Sequence, residues 1–133
     1  MIINKYFQVI KPHLFVEEMS GFSLRHVQSM FSAPVRNHTA WEAWEKAEYK
    51  HKTQDEDYKL PDVYVPVFFR SIINGKNIGH VVVWDPKLEV VHSTPYGGFG
   101  KMITTIEKIE KNSGGTTVCV GWSEDFNGLR IVQ

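Results

Sequence analysis

Apolar positions recur at helical spacing in the first half of the chain and at strand spacing in the second. Met19-Ser20-Gly21-Phe22 precedes Leu24, Val27 and Phe31, with Met30 beside them, and these positions share one face of a short helix over residues 22–31. Ser20 is a candidate N-cap, and Ala33-Pro34 stops the helix. Ala40, Trp41, Trp44 and Ala47 predict a second helix over 39–49, with Glu42, Glu45, Lys46 and Glu48 on its wet face. The polar stretch 51–61 reads as a loop. Residues 63–69 are β-branched and aromatic, and Pro66 among them argues for an edge strand or a bulge. Residues 79–84 form the strongest strand, and the unbroken Val81-Val82-Val83-Trp84 predicts burial on both faces. Asp85-Pro86-Lys87 reads as a hairpin turn leading into a partner strand over 88–93. Ile103, Ile106 and Ile109 mark one more short helix, and strands follow at 116–122 and 129–132. Helices first and an antiparallel sheet afterwards make an α+β class, with N-terminal helices packed on the sheet.

Composition narrows the function classes. The 133 residues suit one domain, 1–133, with its own core. Apolar residues at 42% and charged residues at 23% are ordinary globular values, which argues against disorder. Fifteen basic and fifteen acidic residues balance, so no general nucleic-acid-binding field is expected. Cys119 is the sole cysteine, so an intramolecular disulfide and a CxxC metal site are both excluded. No apolar run approaches the ~20 residues that span a bilayer, and no signal peptide is read at the N-terminus.

The chain lacks HExxH, phosphate-cradling glycine motifs and a GxSxG elbow. His13, His26, His38 and His51 lie in polar or loop contexts and read as ordinary surface or packing residues. His80 opens the strongest strand, and His92 lies near the far end of the same hairpin. A short turn at 85–87 would fold the two imidazoles side by side on one sheet face, as a base and the partner that orients it. The other reading of the pair is two hairpin histidines satisfied by hydrogen bonds.

Three segments carry a resemblance: Gly21-Phe22-Ser23-Leu24-Arg25-His26-Val27-Gln28, Gly79-His80-Val81-Val82-Val83-Trp84, and Val120-Gly121-Trp122-Ser123-Glu124-Asp125-Phe126-Asn127-Gly128. In this order, and spanning about residues 15–132, they resemble a phage lysin domain of the papain-like peptidoglycan peptidases and amidases, the NlpC and CHAP groups. The resemblance implies a papain-like fold with a nucleophile at the start of the first core helix. There the helix dipole and free N–H groups favour a thiolate. It also implies a histidine base on the first strand of the sheet, and a polar residue on the next strand that orients the base. Carried over, these positions are Ser23, His80 and His92.

Ser23 stands where the family has cysteine, and Cys119 in its late apolar strand reads as a small core residue. A serine hydroxyl must lose its proton to a base during attack, so activity is expected to be weak or absent. Ser23 leaves open an engineered replacement, a natural loss of activity, or a working Ser–His variant. Trp122, Asp125, Asn127 and the glycine-flanked Tyr96 are candidate walls of a substrate groove. The first functional reading is a cell-wall amidase or endopeptidase acting on bacterial peptidoglycan. The second is a non-catalytic phage structural or wall-binding protein that keeps the fold and contacts other virion proteins. Neither reading calls for a cofactor, metal, nucleic acid or membrane. The expected location is the host cytoplasm before release to the wall, or the phage virion.

Overall fold

The computed structural model describes residues 6–14, 27, 28, 30–33, 39–93 and 102–133. The described chain is α+β with antiparallel sheets. Its strands are β1 (Lys50–Lys52), β2 (Val65–Ile73), β3 (Lys76–Asn77), β4 (His80–Asp85), β5 (Val90–Ser93), β6 (Met102–Thr104), β7 (Thr117–Ser123), β8 (Asp125–Phe126) and β9 (Leu129–Arg130). Its helices are α1 (Ala40–Lys46) and α2 (Ile106–Asn112). The main sheet runs β1-β7-β2-β4-β5-β6, with β3 paired to β2 and the β8–β9 ribbon beside it. Of the two N-terminal helices expected, α1 is present. Of the helix expected over 22–31, only 27, 28 and 30 are described as helical, and most of its span lies outside the described residues.

β2 is central, flanked by β4 and β7, although Pro66 suggested an edge or a bulge. Pro66 pairs with Val83 on one side, while pairing with β7 begins only at Val67, so the proline sits where β7 makes no demand. A bulge does follow, between Phe68 and Phe69 in the pairing with β7. His51 and Lys52 fall in the stretch read as loop, but they belong to β1, which pairs with β7 from Lys50↔Ser123 to Lys52↔Gly121. Ile103 was expected in a helix and instead pairs with His92 in β6. Thr105 explains that boundary: its hydroxyl caps α2 by accepting from the Lys108 N–H, so the helix starts after it.

Alternation along β2 divides the core into two sides. Phe68 faces the helical layer, with the Trp44 ring 5.4 Å and the Phe126 ring 6.2 Å away. Phe31 joins the same layer through Phe126. Val65, Val67 and Phe69 face the other way, together with Trp84, His80 and Trp122, their cross-strand partners. Segment 59–61 covers that second side. The Trp122 indole donates to the Lys59 carbonyl at 3.0 Å and the Trp84 indole to the Pro61 carbonyl at 2.9 Å. Gln28 is fully buried on helical backbone, and its side-chain amide has no hydrogen-bond partner among the described residues.

Gly79 connects the helical layer to β4. Its φ of 72° is left-handed, and an added Cβ would lie 2.5 Å from the Trp41 backbone nitrogen. The same Trp41 N–H donates to the Ile78 carbonyl, so the start of α1 is fastened to the backbone just before β4. Gly75 has a similar φ, 76°, but open space around it. The two glycines therefore separate backbone strain from steric exclusion. Gly75→Ala is expected to cost about 1 kcal/mol, the price of the dihedral alone. Gly79→Ala should cost at least ~2–3 kcal/mol, because the helix must move off the sheet as well. Urea unfolding of both variants checks the difference.

Candidate functional site

His80 lies at the first position of β4 and is 8% exposed. Its Nε2 is 3.0 Å from the Ser93 hydroxyl, and Ser93, at the end of β5, is 2% exposed. The Phe69 ring sits 5.8 Å from the imidazole. Burial in these surroundings disfavours the charged ring and pushes its pKa down to about 4. At neutral pH His80 is thus a neutral base with one nitrogen held by a hydroxyl.

His92 does not share this site. The register pairs Val83 with His92 and Asp85 with Val90, which puts His92 on the face of Val83 and Asp85 and His80 on the other. The expected same-face pair is corrected by the turn. Residues 86–89 form the loop, with Glu89 in the left-handed region at φ 55°, so one residue more than 85–87 separates the strands and the parity changes. His92 instead meets Asp85, whose Oδ2 is 2.9 Å from His92 Nε2. Asp85 Oδ1 accepts from the Lys87 and Leu88 N–H groups. Burial alone would raise the Asp85 carboxyl, but the hydrogen bonds from His92 and the two backbone groups outweigh it and hold the pKa below its ordinary value.

Ser23 and Tyr96 lie outside the described residues. Trp122 and Asp125 do not wall a groove. Trp122 is 1% exposed, with its indole stacked on His51 at 3.8 Å and met edge-on by Tyr6. Asp125 is fully buried. It accepts from the Glu48, Tyr49 and Gly128 N–H groups and from the Ser123 hydroxyl, at 2.7 to 2.9 Å. Asn127 occupies the left-handed region at φ 52° in the β8–β9 turn, where asparagine and the following glycine fit the backbone. Asp and Asn in this segment thus build a turn, and the tryptophan is core.

Two residues that sequence reasoning passed over make specific contacts. Ser93 holds His80, and its parity relative to His80 was legible only with the correct loop length. His51, read as ordinary, binds Glu124 at 2.7 Å while stacking on Trp122, and Glu124 also faces Arg130 at 3.6 Å. A pocket of about 250 Å³ beside Trp44, lined by Lys52, Thr53, Gln54 and Val120, includes none of His80, Ser93, His92 or Asp85. Among the described residues no cluster of His, Cys, Asp and Glu could hold a metal ion. No helix there is long and apolar enough to cross a membrane. Compared with known protein families, with curated proteins and with solved structures, the chain gives no match in any of the three.

Two outcomes follow from this geometry. The unfolded chain protonates His80 near pH 6.5, whereas the fold resists until about pH 4. The stability that neutral His80 supports is therefore complete above pH 6.5 and lost as pH falls towards 4, by about 3 kcal/mol. Denaturant unfolding across that window should show this slope, and His80→Gln should flatten it. Asp125→Ala strands three backbone donors, those of Glu48, Tyr49 and Gly128, and is expected to cost at least ~3 kcal/mol. Thermal denaturation checks this; a variant as stable as the parent would return Asp125 to the list of groove residues.

Proposed function

We infer that the chain is a papain-like peptidoglycan amidase or endopeptidase domain whose nucleophile position, Ser23, leaves it weak or inactive. The observation that carries this reading is the buried His80–Ser93 pair: a neutral imidazole at the start of β4, with Nε2 held at 3.0 Å by a polar side chain from the next strand. A base of this kind takes a proton from a nucleophile and returns it to the leaving amine. The three segments that resemble phage lysin domains supply the substrate class, an amide of the cell-wall peptide. They also supply residue 23 as the attacking group. In that reaction residue 23 bonds to the scissile carbonyl carbon, its proton passes to His80, and the C–N bond breaks as His80 protonates the amine. Water then releases the acyl group.

A non-catalytic phage structural or wall-binding role is favoured by a separate observation. Trp122 and Asp125, two of the four candidate groove residues, are built into the core. Digestion of purified peptidoglycan separates the two readings. The chain as it stands should release little or no peptide or free amine, and Ser23→Cys should raise release by ~100-fold or more, about 2.7 kcal/mol of barrier. Robust cleavage by the parent chain, abolished by His80→Ala, would make it a serine hydrolase. No cleavage by Ser23→Cys on several wall types would leave the structural or binding role.

A further inference from the structure

The four described asparagines, Asn74, Asn77, Asn112 and Asn127, differ in how the fold holds the residue that follows each. An asparagine loses its side-chain amide when the backbone nitrogen of the next residue attacks Cγ. The attack needs a backbone that can swing that nitrogen onto Cγ, and it is fastest before glycine, which has no Cβ in the way. A hydrogen bond from the attacking N–H opposes it. Ile78 N–H, after Asn77, donates to the Ser71 carbonyl at 3.0 Å, and Ser113 N–H, after Asn112, donates to the Ile109 carbonyl at 3.2 Å. Gly128 N–H, after Asn127, donates to Asp125 Oδ2 at 2.7 Å, and the Glu48 carboxylate stands beside Gly128. A carboxylate acceptor opposes the attack most strongly, since the nitrogen must give up its proton to react.

Gly75 N–H, after Asn74, has no acceptor among the described residues. Asn74 and Gly75 are exposed at the tip of the β2–β3 hairpin, with φ of 52° and 76°, and no atom lies within 4 Å of a Cβ built on Gly75. Two paired rows hold this tip, Ile72↔Asn77 and Ile73↔Lys76. Attack takes Asn74 out of its left-handed turn, so its rate follows local opening of a short ribbon. Asn127 has the same φ, 52°, but its turn is fastened by Asp125, which also holds Glu48 and Tyr49. Opening there disturbs the junction with the helical layer.

We propose that Asn74–Gly75 is a site of spontaneous deamidation in the folded protein, and that Asp125 protects Asn127–Gly128. The Gly75 nitrogen bonds to Asn74 Cγ and gives its proton to solvent, and the side-chain amide leaves as ammonia, closing a succinimide. Water then adds to either ring carbonyl, and opening gives aspartate or isoaspartate. Water is the only co-reactant. The product carries a new carboxylate beside Lys76, and isoaspartate lengthens the main chain of the turn by one methylene.

The whole chain, incubated in mildly alkaline buffer both folded and in guanidinium chloride, provides the test. Peptide mapping by mass spectrometry and labelling with an isoaspartyl methyltransferase locate the products. In the folded protein residue 74 should convert ~10-fold or more faster than residue 127. An acidic species should appear on isoelectric focusing, since the 15 basic and 15 acidic residues otherwise balance. In denaturant the two Asn-Gly pairs should react at similar rates, because the fold alone separates them. Asn74→Gln, whose ring closure is slower, should remove the folded-state signal. Equal rates at 74 and 127 in the folded protein overturn the protection by Asp125. No conversion at 74 in the fold, with both sites reacting in denaturant, overturns the proposed site. A difference between the two sites that persists undiminished in denaturant overturns the structural cause.

Discussion

The carboxylate of Asp125 is the junction on which the helical layer depends. Both of its oxygens are used inside the protein, accepting from Glu48, Tyr49, Gly128 and Ser123. The donors at Glu48 and Tyr49 belong to the chain just beyond α1. Their N–H groups could have extended the helix towards residue 49, as the apolar stripe suggests, but Asp125 takes them and the chain leaves α1 at Ala47 in an extended conformation. That exit leads directly into β1, which pairs with β7 two residues from Asp125 itself. Phe126, the neighbour of the carboxylate, is then set between Phe31 and Phe68. A buried acceptor with four donors fixes an angle between layers that hydrophobic contact alone would leave loose.

From that junction the constraint passes to β4. The far end of α1 rests on Gly79, and the helix fits there because residue 79 has no side chain. The approach sets where β4 begins, and His80 is its first residue. The sheet then acts as a wall between two histidine pairs of opposite character. His80 is neutral, with a hydroxyl partner in an apolar setting. His92 is joined to a carboxylate that is itself stabilised by backbone donors at the hairpin turn. One ring is held by a hydroxyl in the core, and the other closes the β4–β5 loop.

The α+β class, the central valine strand and its hairpin were legible because burial imposes unmistakable patterns. Three zero-exposure valines in succession in β4 are the signature of a strand covered on both sides. What escaped depended on single residues at boundaries. The turn at 85–87 looked short because Pro86 presets a turn conformation, yet Glu89 also adopts a left-handed backbone and lengthens the loop. That single extra residue exchanged His92 for Ser93 beside His80. The SEDFNG segment looked like a binding loop because Asp, Asn and Trp suit both ligands and turns. Only the positions of the Glu48 and Tyr49 N–H groups, contributed from far away in sequence, decide between them. Ile103 kept helical spacing with Ile106 and Ile109, but Thr105 between them caps the helix and leaves Ile103 to a strand.

The environment of His80 bears on which nucleophile the proposed site could use. A base whose pKa is about 4 accepts a proton reluctantly at neutral pH. Attack by a serine hydroxyl asks this base to become an imidazolium while the hydroxyl itself provides no charge to stabilise it beforehand. Both halves of the transfer are then uphill, and the nearby carboxylate of Asp85 faces the other side of the sheet. A thiol changes the balance. Its thiolate forms at a pH much nearer neutrality, and a negative sulfur beside the ring would raise the pKa of His80 by favouring its charged form. The imidazolium is then stabilised by the nucleophile itself, with no carboxylate needed at position 93. A neutral, buried histidine held by a hydroxyl is therefore suited to a sulfur partner and ill suited to an oxygen one. On the proposed hydrolase reading, a serine at position 23 would therefore be disfavoured by the electrostatics of the base as well as by its own acidity.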